Sequence, residues 1–180
     1  CNHLGNVDAM RSFVNSDIKD TCSSVSVFLA KEQCKIFSGF IEKITTNKNI
    51  YLYPVEEIDI NTSIEIKEKL NKGGIVFMAG DRISAQSNNF ETEFLNHKVL
   101  FPIGTFKFVQ MMEAAVYFVS AIKMPKDRYC IHLKRFYNSQ TKAMTLSKMQ
   151  KDFVMFLEEK TKLAPYQFYH FYNFFNEEST

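Results

Sequence analysis

The chain has 180 residues, 46% of them apolar and 23% charged, an ordinary balance for a globular protein with a sizeable core. Its 22 basic and 20 acidic residues are interspersed and leave a formal charge of +2, which excludes the one-sided field of a dedicated nucleic-acid binder. Cys1, Cys22, Cys34 and Cys130 are too irregular for a zinc ribbon and too sparse for a disulfide scaffold, and no window approaches the roughly 20 apolar residues of a spanning helix.

In chain order, Val7 to Ile18 carries Met10, Phe13, Val14 and Ile18 at helical spacing, with Asn6 placed to cap it. Ser24 to Ala30 reads as a strand and Lys31 to Thr45 as a helix with Cys34, Phe37, Ile41 and Ile44 on one face. Ile50 to Val55 is a second strand, and Thr62 to Leu70 a helix for which Thr62 is the expected cap. Gly73 and Gly74 end that helix, and the continuous apolar run Ile75 to Ala79 is the best candidate for a central strand. Gly80 to Lys98 reads as a polar loop, Val99 to Phe101 as a short strand and Gly104 to Ala114 as a helix. Ala115 to Met124 and Tyr129 to Phe136 are strands joined by a turn that suits Asp127. Leu146, Met149, Phe153, Phe156 and Leu157 form a helical stripe, and Pro165 to Phe175 is dense in aromatics that suit either a helix packed on a sheet or a membrane interface. With no internal repeat or linker, the expected fold is one α/β domain over residues 1–180, a mostly parallel twisted sheet flanked by helices.

Three places carry candidate chemistry. His3 and Asp8 are a base and a carboxylate on either side of the start of the first predicted helix. Such a pair can activate a hydroxyl: the imidazole takes its proton and the carboxylate fixes the tautomer and stabilises the imidazolium. The same spacing also arises from a surface histidine before a helix and an aspartate at its favourable N-terminal end. Gly80-Asp81-Arg82 follows the proposed central strand, where Arg82 can hold a phosphate or carboxylate, or simply pair with Asp81. Phe101-Pro102-Ile103-Gly104-Thr105 turns from strand to helix, and the exposed N–H groups of that helix start can face an anionic headgroup or a thioester oxygen. His97, His132 and His170 lack metal-ligand spacing and read as surface or core histidines. Lys43, Lys48, Lys67, Lys69 and Lys72 suit anionic lipid or a solvated helix face equally.

Taken in order, His3-Leu4-Gly5-Asn6-Val7-Asp8, Gly80-Asp81-Arg82, Phe94-Leu95 and Phe101-Pro102-Ile103-Gly104-Thr105-Phe106 resemble the lauroyl/myristoyl (lipid A biosynthesis) type of bacterial acyltransferase in the lysophospholipid acyltransferase superfamily. Ala164 to Phe175 is similar to the aromatic closing motif of predicted acyltransferases found with aryl-polyene lipid biosynthesis, so the resemblance runs over essentially the whole chain. It departs in three ways. Phe168 and Phe175 stand where tryptophan is usual, and Ile103 stands where a related branch has glutamate. The family also has a longer segment before the His motif, so an N-terminal portion is expected to precede Cys1.

The resemblance implies a glycerol-3-phosphate-acyltransferase-like fold and transfer of a fatty acyl group from acyl carrier protein or coenzyme A to a hydroxyl or amine of a lipid acceptor. His3 would be the general base and Asp8 its partner. Gly5, Asn6, Arg82, Phe101, Pro102, Gly104 and Thr105 would lie along the substrate groove. It implies no metal or redox cofactor, and peripheral association with the cytoplasmic face of a bacterial inner membrane. The alternatives are an inactive lipid- or carrier-binding module of the same fold, and a hydrolase using the same base.

Overall fold

The computed structural model describes residues 2–5, 22–44, 49–83, 88–137 and 145–175. The chain divides into two compact units, Val14–Ala79 and a second made of Cys1–Phe13 with Gly80–Thr180. The predicted first helix, Val7 to Ile18, lies outside the described residues.

In the first of these units, β1 (Val25–Leu29), α1 (Lys31–Ile44), β2 (Ile50–Pro54), α2 (Ile60–Asn71) and β3 (Ile75–Phe77) alternate along the chain. The strands form a parallel sheet in the order β2-β1-β3, with Val25 opposite both Ile50 and Ile75. Parallel neighbours need crossovers, which is why helices separate them in sequence. The central strand among those described is therefore β1, and the run at Ile75 is an edge. The continuous apolar run was expected to be buried on both faces, but β3 is only half-buried, whereas the period-2 pattern of β1 buries Ser26 and Phe28.

The cap of α2 is Asp59 rather than Thr62: the carboxylate accepts from the Thr62 backbone N–H at 2.7 Å and from its hydroxyl at 2.8 Å. Thr62 sits three positions inside the helix and is the capped residue. Lys69 is not simply solvated, because its ammonium donates to Glu65 at 2.7 Å and to the Tyr53 hydroxyl and lies 3.2 Å from the centre of the Tyr51 ring.

Among the described residues, the second unit holds two antiparallel hairpins and two helices. β4 (Asn89–Phe94) pairs with β5 (His97–Pro102), α3 (Gly104–Met112) follows, β6 (Val116–Met124) pairs with β7 (Arg128–Tyr137), and α4 (Leu146–Leu163) runs into a single turn at Pro165–Gln167. The expected single, mostly parallel sheet is thus corrected: the described strands form one three-stranded parallel sheet and two separate antiparallel pairs. The expected polar loop from Gly80 to Lys98 contains β4 and the turn into β5. In β4, Phe90, Thr92 and Phe94 alternate with the exposed Glu91 and Glu93, the signature of a half-buried strand.

Each hairpin closes on two residues of positive φ, Leu95 and Asn96 in one and Lys126 and Asp127 in the other, which matches the natural twist of paired strands. After the turn at Pro165–Gln167 the aromatic end is irregular rather than helical as far as residue 175. Its rings complete a core in which Phe94, Phe101, Phe106, Phe118, Phe153, Phe156 and Phe174 are all buried. Burial of one such ring stabilises by about 1.5–3 kcal/mol. Among the described residues no helix is long and apolar enough to cross a membrane.

Candidate active site

The opening residues are held as a short strand-like insert. Leu4 bridges Phe168 antiparallel and Gly5 bridges Ala121 of β6 in parallel, while the Gly5 N–H donates to the Gln167 carbonyl at 2.8 Å. Buried Asn2 anchors this insert, donating to the Ser120 hydroxyl at 2.7 Å and accepting from the Leu4 N–H at 3.2 Å. Gly5 has a φ of +75°, and a Cβ there would stand 1.9 Å from the Ala121 carbonyl oxygen. The glycine of the His3–Asp8 motif is therefore a requirement of close backbone approach.

The insert fixes His3 at both ends of its backbone. Its N–H donates to Oδ2 of Asp81 at 2.5 Å, and its carbonyl accepts from the Tyr169 N–H at 3.1 Å. The His3 Nδ1 lies 2.8 Å from Oδ1 of the same carboxylate. Asp81 is fully buried, whereas the His3 side chain keeps 23% of its surface. Gly80 makes room for this turn, since a Cβ there would press on Phe153 at 3.1 Å and on Phe106 at 3.4 Å.

A second imidazole completes the arrangement. Nε2 of His170 lies 3.1 Å from Oδ2 of Asp81, and its Nδ1 lies 3.1 Å from the Tyr172 hydroxyl. The His170 side chain is 1% exposed and packs against Phe168 and Phe174, whose ring centres are 4.4 and 4.6 Å away. Burial pushes the Asp81 carboxyl up, but hydrogen bonds from His170 and His3, together with the attraction of their imidazoles when protonated, outweigh it. The carboxyl is held well below its ordinary range. It is an anion at neutral pH, and anions only accept, so both facing ring nitrogens carry protons. In neutral His3 this leaves the lone pair on Nε2, the nitrogen turned away from the carboxylate.

His3, Asp81 and His170 also have the donor set of a two-histidine, one-carboxylate metal centre, with one ligand atom from each within 4.8 Å of the others. Here both histidines are hydrogen-bonded to the Asp81 carboxylate, an arrangement that also suits an acid–base pair, and a metal ion bound there would take the place of those two protons.

Neither a protein-family model nor a curated protein matches the chain.

The predicted residues are distributed unevenly around the centre. Arg82 is half-buried and donates from a terminal guanidinium nitrogen to the Tyr169 carbonyl at 3.1 Å. The Tyr169 peptide thus links Arg82 to His3, and among the described residues Arg82 has no carboxylate partner. Asp81, read from sequence as a partner for Arg82, pairs with the two histidines. Phe101 is fully buried against Phe94, Phe153 and Phe174 and belongs to the core, and Pro102 is buried at the end of β5. Gly104 and Thr105 open α3, which has no side-chain cap. Asn6 and Asp8 lie outside the described residues.

Sequence reasoning missed His170 and the role of Asp81. The one available signal was a basic, hydrogen-bonding ring in an otherwise aromatic run from Phe168 to Phe175.

Proposed function

We propose that the chain is an acyltransferase of the lysophospholipid acyltransferase type with a glycerol-3-phosphate-acyltransferase-like fold. It moves a fatty acyl group from an acyl carrier protein or coenzyme A thioester to a hydroxyl or amine of a lipid acceptor at the cytoplasmic face of a bacterial inner membrane. The observation that carries this reading is the His3 imidazole, tied through Nδ1 to a buried carboxylate and left with Nε2 as a base. In the reaction the acceptor gives its proton to Nε2 as its oxygen or nitrogen bonds to the thioester carbonyl. The tetrahedral intermediate then expels the thiolate, and the imidazolium returns the proton to that sulfur.

On this reading Asp81 takes the part that the resemblance implies for Asp8, orienting the ring and offsetting the charge that develops on it. Arg82 suits the phosphate of the acceptor or of the carrier's prosthetic arm, because a guanidinium with one terminal nitrogen engaged retains further donors. Tyr166, 97% exposed, and Phe171, 87% exposed, supply rings for the membrane interface on the segment that contacts His3.

The test supplies lauroyl or myristoyl thioesters of acyl carrier protein and of coenzyme A, with a bacterial lipid extract as acceptor, and follows acylated lipid by mass spectrometry. His3→Ala is expected to lower the rate by about 10²–10⁴-fold. Undiminished transfer by that variant would sink the mechanism. Free fatty acid without acylated lipid would identify a hydrolase, and no turnover of either thioester would leave a binding module.

A further inference from the structure

We infer that His170, oriented by Tyr172, is a positioning residue that holds the Asp81 carboxylate in the one orientation in which His3 presents Nε2 as the base. The inference rests on the reading of His3 as that base.

A fully buried carboxylate retains its charge only if donors replace the water it has lost. Oδ1 has Nδ1 of His3, and Oδ2 has the His3 backbone N–H and Nε2 of His170. Without His170, both oxygens would depend on His3 alone among the described residues. The carboxylate plane could then turn more freely about its terminal torsion, which is soft, and the Nδ1 contact would loosen with it. A further donor on Oδ2, from a different segment of the chain, restrains that rotation. It holds the carboxylate without touching the substrate-facing nitrogen of His3.

When His170 is neutral, with Nε2–H directed at the carboxylate, its lone pair lies on Nδ1, where the Tyr172 hydroxyl can donate. A neutral His170 leaves the single negative charge of Asp81 to balance the imidazolium that forms on His3. A cationic His170 would compete for it, with the two rings only 5.7 Å apart. Arg82, next to Asp81 in the chain, donates to the Tyr169 carbonyl. Phe168 and Phe174 both pack on the His170 ring and on each other, so ring rotation would break both polar contacts and disturb the aromatic packing.

The experiment uses the whole chain labelled with ¹⁵N at histidine, with the His3 signals assigned by their loss in His3→Gln. In the parent protein, above the pH at which the imidazoles titrate, His3 is expected as the Nδ1–H tautomer with a downfield hydrogen-bonded proton. His170→Leu is expected to abolish that proton signal and give mixed tautomers. His170→Gln, which retains an N–H donor on a side chain of similar reach, is expected to restore the parent pattern. Loss of one hydrogen bond to a charged group further predicts a fall in kcat of about tenfold or more with KM unchanged.

A His3 tautomer and proton signal unchanged in folded His170→Leu would overturn the assignment, as would a His170→Gln spectrum no better than that of His170→Leu. If His170→Leu does not fold, Tyr172→Phe decides: a weakened His3 proton signal supports the assignment, and an unaltered one rejects it. Because the spectra need no substrate, absence of acyl transfer with the His170-dependent pattern intact counts against the proposed function and in favour of this inference.

Discussion

Nδ1 of His3 lies 2.8 Å from Oδ1 of Asp81, although 78 positions separate the two residues in sequence. Asn in place of Asp81 keeps the shape of the group but brings an amide N–H against a histidine N–H. Asp81→Asn is therefore expected to slow acyl transfer by about 10⁴-fold, as loss of the orienting carboxylate does in related acid–base pairs. It is also expected to cost about 3–5 kcal/mol of stability. Steady-state kinetics and urea unfolding check the two effects separately. A variant that transfers at the parent rate would remove Asp81 from the mechanism, and the same assay on Asp8→Asn compares the two carboxylates directly.

The Asp81 carboxyl also sets a pH dependence. Its folded-state pKa lies below the ordinary 3.8 because the hydrogen bonds and charge of His170 and His3 outweigh burial. As pH falls, the unfolded chain takes up this proton first, so the stabilisation is complete above 3.8 and drains away below it. Other carboxyls titrate in the same region, so the informative quantity is the difference in unfolding free energy between the parent protein and Asp81→Asn. That difference is expected to be level near neutrality and to shrink as pH is lowered below about 4. A gap that stays constant to pH 2.5 would contradict it.

Gly5→Ala is expected to be among the most damaging single changes in the chain. The added methyl would meet the Ala121 carbonyl at 1.9 Å, and the residue would have to hold a φ of +75°. The backbone term alone is about 1–2 kcal/mol, and the contact with β6 adds to it. Thermal unfolding followed by circular dichroism should show a large fall in midpoint. Survival within about 0.5 kcal/mol of the parent would mean that the Leu4–Gly5 insert is not seated on Ala121 in solution.

Tyr166 and Phe171 are exposed aromatics on the segment that contacts His3, and their replacement by serine should separate membrane association from folding. Stability is expected to stay within about 0.5 kcal/mol. Partitioning onto vesicles rich in phosphatidylglycerol, measured by sedimentation, is expected to fall by about tenfold or more. Equal partitioning of the variant and the parent would exclude these two rings as the membrane contact.

Much of the local structure was legible because it depends on near neighbours. The β-branched run at Val25–Leu29, the helical stripe of Leu146–Leu163 and the Asp127 turn were all read from a few adjacent residues. The β4–β5 hairpin was hidden for the same reason. Leu95 at its turn has none of the usual turn chemistry, yet it adopts a φ of 53° because the pairing of Phe90 with Phe101 and of Phe94 with His97 sets the geometry of the connection. Helix propensity was likewise a poor guide to the aromatic end, where Phe168, Phe174 and Phe175 fill the core from an irregular backbone.

The sequence by itself determined the α/β alternation of the first unit and singled out His3 as a candidate base near the start of the chain. Only the tertiary structure brought the Asp81 carboxylate to it, placed His170 on the second oxygen of that carboxylate, and put Phe101 in the core. The physical reason is that periodicity and turn chemistry act between neighbours along the chain. The ionisation and orientation of a buried carboxylate depend instead on which donors replace water around it, and for Asp81 those donors come from positions 78 residues before it and 89 after.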